Sequence, residues 1–236
     1  WGGGLNTPKF QKVEKQMAPI LAAFQDEIIQ NSKLFKRIEA VYNSPQKKKL
    51  TPEQQRLVWY QYNRFVLQGA RLNDRQKSRV AEINQRLATL GTEFGQNLLA
   101  DEENDALIID KQMDLAGLPQ SMIDSAAEEG ARRKLKGKWV LANTRSSMEP
   151  FLTYSTNRAL REKAFKMWTS RGDKSDSRDN NKIIVETLKL RAERAKILGY
   201  PTYAHWRLAD TMSKTPQSAM DLMMKVWTPA VAQARK

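Results

Sequence analysis

Between residues 80 and 98 apolar side chains recur at steps of three, four, three, four and four: Val80, Ile83, Leu87, Leu90, Phe94 and Leu98. That spacing stacks six side chains on one face of an α-helix and suits no strand, whose faces alternate every second residue. The pattern returns along the chain. Phe10, Val13, Met17, Ile20, Leu21, Phe24 and Ile28 stack on one face of a first helix, with Pro19 kinking or dividing it. Leu34, Phe35, Ile38, Val41 and Tyr42 form another stripe, then Leu57, Val58, Phe65, Val66 and Gly69. Three helix starts carry a chemical mark. Thr7-Pro8, Thr51-Pro52 and Thr215-Pro216 each set a capping hydroxyl before a proline at the first helical position, and Gln54 completes a capping box with Thr51.

The middle of the chain departs from this period. Residues 106–109 (Ala-Leu-Ile-Ile) and 138–141 (Lys-Trp-Val-Leu) are short β-favouring runs flanking a helical stretch from Leu118-Pro119 to about Leu135. They are expected to pair as a small sheet, with a buried extended connection as the competing reading. Helices resume over 157–168 and 181–198, the latter stopped by Gly199 at the position past the helix end. Pro201-Thr202 opens a helix expected to reach Met212, and Thr215-Pro216 opens the last. Lys47-Lys48-Lys49, between two prolines, is expected as a loop, and the polar stretch 172–181 as an exposed one. The fold class is therefore mainly α with one small β pair. Residues 1–236 read as one helical segment with possible sub-parts at 1–100, 101–145 and 146–236. No repeat at solenoid periods is present. Trp1 in place of Met, and a last helix with no stop signal after Pro229, suggest a chain cut at both ends; Trp1-Gly2-Gly3-Gly4 reads as a loop tail.

Composition removes several kinds of chemistry. The 236 residues contain no cysteine, hence no disulfide, thiolate metal site or cysteine nucleophile. No apolar run approaches the ~20 residues of a membrane span; the longest, 17–29, is broken by Pro19, Gln25, Asp26 and Glu27. The net charge of +14 raises nucleic acid as a partner, but cations and carboxylates are interspersed along nearly every helix and no RNA-binding aromatic signature accompanies them. Neither nucleic acid nor membrane is expected as a partner.

One histidine, His205, stands in Tyr203-Ala204-His205-Trp206. A zinc site of the two-histidine kind needs a second, so a structural role is the simpler reading. No Gly-x-Ser-x-Gly elbow or phosphate loop is present. Asp101-Glu102-Glu103 and Glu128-Glu129 are candidate acid–base pairs, but their setting favours solvated surface. Met220, Met223 and Met224 beside Trp227 read as core packing before a peptide groove. No catalytic, metal-binding or cofactor-binding residue is assigned.

Several strings carry more than periodicity. They are residues 64–72 (Arg-Phe-Val-Leu-Gln-Gly-Ala-Arg-Leu), 83–90, 94–99, Arg161-Glu162-Lys163 and, most specific, Leu190-Arg191-Ala192-Glu193-Arg194-Ala195-Lys196-Ile197-Leu198-Gly199-Tyr200 continuing through Tyr203 and Trp206 to 209–216. In their order and spacing they resemble the N-terminal half of the thimet oligopeptidase family of zinc metallopeptidases, nearer its bacterial peptidyl-dipeptidases than its oligopeptidases A. The resemblance implies a helical lobe of a two-lobed enzyme whose channel admits short peptides. It also implies zinc held by a downstream His-Glu-x-x-His helix that is absent from this sequence. Zinc then belongs to the longer protein and none to this segment, whose partners are short peptides and the catalytic remainder of the same protein, in a bacterial cytoplasm or, second, periplasm. Inferred in this way, the segment walls the channel. A stand-alone helical adaptor derived from such a peptidase and a basic nucleic-acid-binding module are the alternatives.

Overall fold

A computed structural model describes residues 7–236; the glycine-rich start lies outside them. Ten α-helices and one two-stranded sheet are present among the described residues. They are α1 (Pro8–Gln30), α2 (Ser32–Asn43), α3 (Pro52–Leu67), α4 (Asp74–Asn104), β1 (Ala106–Ile109), α5 (Gln120–Arg132), β2 (Trp139–Ala142), α6 (Arg145–Tyr154), α7 (Arg158–Thr169), α8 (Asn181–Ile197), α9 (Tyr203–Leu208) and α10 (Pro216–Ala234). The chain divides into two compact units, one built on Gly91–Ile184 with the residues up to Lys12, the other on Val13–Leu90 with Val185–Lys236.

In the first unit β1 and β2 pair antiparallel, with Leu107 opposite Leu141 and Ile109 opposite Trp139. The second strand lies one residue beyond its expected place, at Trp139–Ala142. Leu107, Ile109 and Leu141 join Leu115, Leu118, Met148 and Phe151 in a core closed by Ala126 of α5 and Ala164 of α7. In the second unit Ile29, Phe35, Phe65 and Ala70 form a buried cluster. Phe35 stacks on Phe65 and on Tyr62, and Tyr62 on Tyr42 at 3.8 Å. Val80, Ile83 and Leu90 of the α4 stripe are 1% exposed each, as the spacing requires.

The marked starts behave as read. Thr7 Oγ1 accepts from Phe10 N, Thr51 and Gln54 close a reciprocal capping box, and Thr215 Oγ1 accepts from Ser218 N. Gly199 ends the helical stretch at φ +85°, with Tyr200 N donating back to Ala195 O.

Four local expectations are revised for identifiable reasons. α1 is not divided at Pro19 but continues through it as one helix. An interior proline costs ~3 kcal/mol, but the following half of the helix is tied to α4: Asn84 donates to Asp26 at 2.7 Å, and Gln30 to the Lys77 carbonyl at 3.0 Å. α9 stops at Leu208, short of Met212. There Thr211 turns its hydroxyl onto the Leu208 carbonyl at 2.9 Å, a local bond that competes with helix propagation. Pro45–Lys49 is a 3₁₀ turn rather than an open loop, capped by Ser44. The stretch 172–181 is polar but not simply exposed, because Gly172 and Asn180 are buried within it.

α1 turns its apolar stripe to solvent: Ile20, Leu21 and Phe24 are 57–59% exposed. The side toward the protein carries Ala18, Ala22, Gln25, Asp26 and Ile29 instead. Small and hydrogen-bonding residues let the helix approach closely while the hydrogen bonds to α4 hold it. Periodicity identifies an amphipathic helix but not which neighbour its apolar side meets.

Candidate functional site

The only histidine serves a helix start. Thr202 caps α9, and its hydroxyl lies 2.8 Å from His205 Nδ1 and accepts from His205 N at 3.4 Å. His205 is exposed. Among the described residues no group of three or more His, Cys, Asp or Glu side chains is placed to hold a metal ion. The zinc implied by the family resemblance therefore finds no fitting donor set among the described residues.

Of the acidic triplet, Glu103 is exposed as expected and Glu102 half-buried, but Asp101 is not on solvated surface. Asp101 has no exposed area. Its Oδ2 accepts from Gly172 N at 2.8 Å and lies 3.3 Å from Lys174 Nζ, while Arg178 Nε stands 3.1 Å from Oδ1. Asp105 also pairs with Lys174, and Glu102 with Arg171 at 2.5 Å. Burial works against the Lys174 charge, but Asp105 and Asp101 outweigh it and raise its pKa. Two bonds through Asn180 complete the closure, one donated to the Phe94 carbonyl and one accepted from Asn97. Gly172 sits at φ +68°, where an added Cβ would meet Asn180 Nδ2 at 2.7 Å. These groups strap the 172–181 stretch to the end of α4, although Asp101 Oδ1, within ion-pair distance of Arg178, accepts no hydrogen bond from the protein. The other acidic candidate is surface chemistry: Glu128 is exposed, and Glu129 is held below its ordinary pKa by hydrogen bonds from Arg132 and Arg133.

The second unit holds polar chemistry of a different kind. α4 and α8 are clamped by two forked pairs. Arg79 holds Glu193 through Nε and Nη2 at 2.6 and 2.9 Å, and Arg86 holds Glu186 the same way at 2.6 and 2.7 Å. Arg194, next along α8, is engaged differently. Its Nη1 donates to Asn84 Oδ1 at 2.6 Å, and its guanidinium lies 4.6 Å from the Trp206 ring centroid. The Trp206 indole N–H is itself committed to the Leu67 carbonyl at 2.8 Å. Asn84 donates its amide to Asp26 Oδ1, so one amide links a buried carboxylate to a half-buried guanidinium. Asp26 Oδ2 and Arg194 Nε, both buried, meet no protein partner. Burial pushes the Asp26 carboxyl up against the opposing pull of Asn84 and Arg194, and burial lowers Arg194. The sequence offered one sign of this site: Asp26 interrupts the apolar run 17–29 three residues before Ile29.

α10 has no buried residue along its whole length. Met220, Met223 and Met224 are about half exposed and Trp227 is 62% exposed, so the expected core role for this group does not hold.

Residues 151–236 match peptidase family M3. Over 225 residues, 95% of its length, the chain is 35% identical to the dipeptidyl carboxypeptidase of Escherichia coli, of which it covers 33%. It is 32% identical to a probable cytosolic oligopeptidase A of Arabidopsis thaliana over 96% of the chain and 33% of that protein. It is also 29% identical to oligopeptidase A of Haemophilus influenzae over 98% of the chain and 34% of that protein. The chain thus spans about a third of the length of the curated relatives it matches. With a family match over its last 86 residues and a likeness along nearly all of it, the chain is similar to about one third of the length of dipeptidyl carboxypeptidase and oligopeptidase A.

Proposed function

We propose that this chain is the wall-forming part of a zinc-dependent oligopeptidase or peptidyl-dipeptidase that hydrolyses short peptides, and that the catalytic centre belongs to the two-thirds of the relatives' length that it does not span. The observation carrying this reading is the pairing of a likeness to a third of such peptidases, along nearly the whole of this chain, with helices left apolar on their outer side. α1 presents Ile20, Leu21 and Phe24 to solvent, and α10 presents Met223, Met224, Val226 and Trp227. Scattered exposed apolar residues are ordinary, whereas contiguous rows along two helices mark surfaces built to be covered. The remainder of the peptidase is the covering partner. A rigid helical wall with axes ~8–10 Å apart restricts entry to unfolded, short substrates by bulk alone. With one histidine in 236 residues, a His-Glu-x-x-His helix has no place in this sequence. The longer protein acts on short peptides, in a bacterial cytoplasm or, second, periplasm.

The test compares the 236-residue chain with the product of its complete reading frame. The longer product is expected to carry one zinc per chain by elemental analysis and to cleave short peptides while sparing folded proteins. The 236-residue chain is expected to bind no zinc and cleave nothing. Stoichiometric zinc on the short chain, or a reading frame without a His-Glu-x-x-His run, overturns the proposal.

A further inference from the structure

The net charge of +14 is unevenly carried. The second unit holds 23 Lys and Arg against 11 Asp and Glu, the first 17 against 15. The excess is densest over α2, the 3₁₀ turn and α3, where residues 32–67 hold eight cations and two carboxylates. One of those carboxylates, Glu39, is bonded to Arg71 at 3.1 Å. Lys48, Lys49, Arg56 and Arg64 pair with no carboxylate among the described residues.

Local chemistry sets these cations in a row. Ser44 caps the 3₁₀ turn and the Thr51–Gln54 box starts α3 directly after it, so Lys48 and Lys49 project from a fixed bend, both exposed. Along α3, Glu53, Arg56, Leu57, Tyr60 and Arg64 follow at steps of three and four, which places them on one face. Leu57 is 56% and Tyr60 50% exposed, whereas Phe65, on the inner side, is buried. Tyr60 and Arg64 also border an open hollow of about 160 Å³ between α3 and α9. Leu67 and Trp206 complete its apolar lining, and Gln68, Arg207 and Asp210 its polar lining. Trp206 is fixed there by its indole N–H on the Leu67 carbonyl. A space of this size takes one aromatic ring.

Such a face calls for an anionic partner, and two features select a peptide over a nucleic-acid strand. The ring faces beside the cations are already engaged: Tyr42 by Lys47 and Tyr62, and Trp59 by Arg56 at 3.9 Å from its ring centroid. Bases would lack the stacking platforms that single-strand binders supply. Leu57, Tyr60 and the hollow also set apolar surface among the cations, which peptide side chains can use and a phosphodiester chain cannot.

We infer that the outer face of α3 binds an acidic, extended peptide segment, with carboxylates on Lys48, Lys49, Arg56 and Arg64 and one aromatic side chain in the hollow. The 16 residues of α3 span ~24 Å, the length of about seven extended residues. The cationic excess of the unit draws such a segment in from a distance, and the arginine forks fix it on contact. The inference requires no hydrolysis and stands whether or not the longer protein is a peptidase.

Fluorescence anisotropy of a fluorescein-labelled peptide, Glu-Asp-Glu-Phe-Glu-Asp-Glu, titrated with the 236-residue chain, tests it. Saturable binding is expected, weakening roughly tenfold between about 20 and about 200 mM salt. At fixed salt, Ser in place of the peptide's Phe should weaken binding roughly tenfold, because the hollow is left empty. Lys48→Glu with Lys49→Glu, and Arg56→Gln with Arg64→Gln, should each weaken it roughly tenfold. Lys189→Glu with Lys196→Glu changes the unit's charge as much as the first pair does, at exposed positions of α8, and should leave binding within about twofold. If the arginine pair does not fold, the exposed lysine pair and the two peptides decide. The product of the complete reading frame should bind the peptide as the short chain does. The inference is overturned by an absence of saturable binding, an equal loss in the α8 control or indifference to the peptide's Phe. A thymidine oligomer that binds as tightly, or a complete product that does not bind the peptide, overturns it too. None of these measurements reads zinc or hydrolysis, so their failure leaves the peptidase reading standing.

Discussion

Asp101 and Asp26 are both buried carboxylates, and their surroundings give them opposite energetic signs. Asp101 accepts from Gly172 N and faces Lys174 and Arg178, so its charge is compensated. Removing one partner of a buried charge network leaves the others unpaired. Asp101→Ala is expected to lower stability by about 2–4 kcal/mol in urea unfolding, and Asp101→Asn by less because an acceptor for Gly172 N remains. Asp26 has no cation in direct contact, and burial raises its pKa above the ordinary carboxylate value. A carboxyl raised in the folded state favours folding while protonated, and that advantage is lost as pH climbs through the raised value. Asp26→Asn is therefore expected to stabilise the chain at neutral pH. The gain should shrink as pH falls through the carboxylate range, read as midpoints of urea unfolding at several pH values. A gain that grows toward acid pH would contradict the assignment. Neither residue's burial is legible in the sequence. Asp101 opens an acidic triplet that reads as surface, and only the approach of residues 172–178 from ~70 positions away covers it.

At the scale of single elements, local chemistry carries most of the prediction. The Thr-Pro starts, the capping box of α3 and the Gly199 stop each satisfy backbone groups within a few residues of themselves, so no distant partner is needed to read them. Orientation is a different matter. The stripes of α1 and α4 look alike in sequence, yet Val80, Ile83 and Leu90 are buried while Ile20, Leu21 and Phe24 are exposed. Truncating a buried Leu or Phe costs about 2–5 kcal/mol, whereas an exposed one costs within about 0.5 kcal/mol. In the 236-residue chain Leu21→Ala and Phe24→Ala are expected at the small end, and Leu90→Ala at the large end, by chemical unfolding. If the α1 substitutions cost as much as Leu90→Ala, the exposed stripe is wrong.

For the whole molecule, the exposed rows on α1 and α10 have a measurable consequence. An environment-sensitive hydrophobic dye is expected to bind the 236-residue chain, and to bind the longer protein markedly less per chain if the remainder covers those faces. In that longer protein Phe24→Ala should cost more than it does here. Equal dye binding in both proteins would leave α1 and α10 as a surface with some other purpose. The sequence by itself determined the mainly helical class, the strand pair to within one residue, the helix caps and the family resemblance, because each rests on local periodicity, local hydrogen bonding or a string of residues. It also established that one histidine and no cysteine cannot make a two-histidine zinc site. Only the tertiary structure decided that α1 turns its apolar side outward, that Asp101 lies beneath a polar strap, and that Asp26 and Arg194 meet across Asn84. Those outcomes depend on which surfaces reach one another across 58 to 110 residues of chain, and hydrogen bonds at that range leave no periodic trace in the sequence.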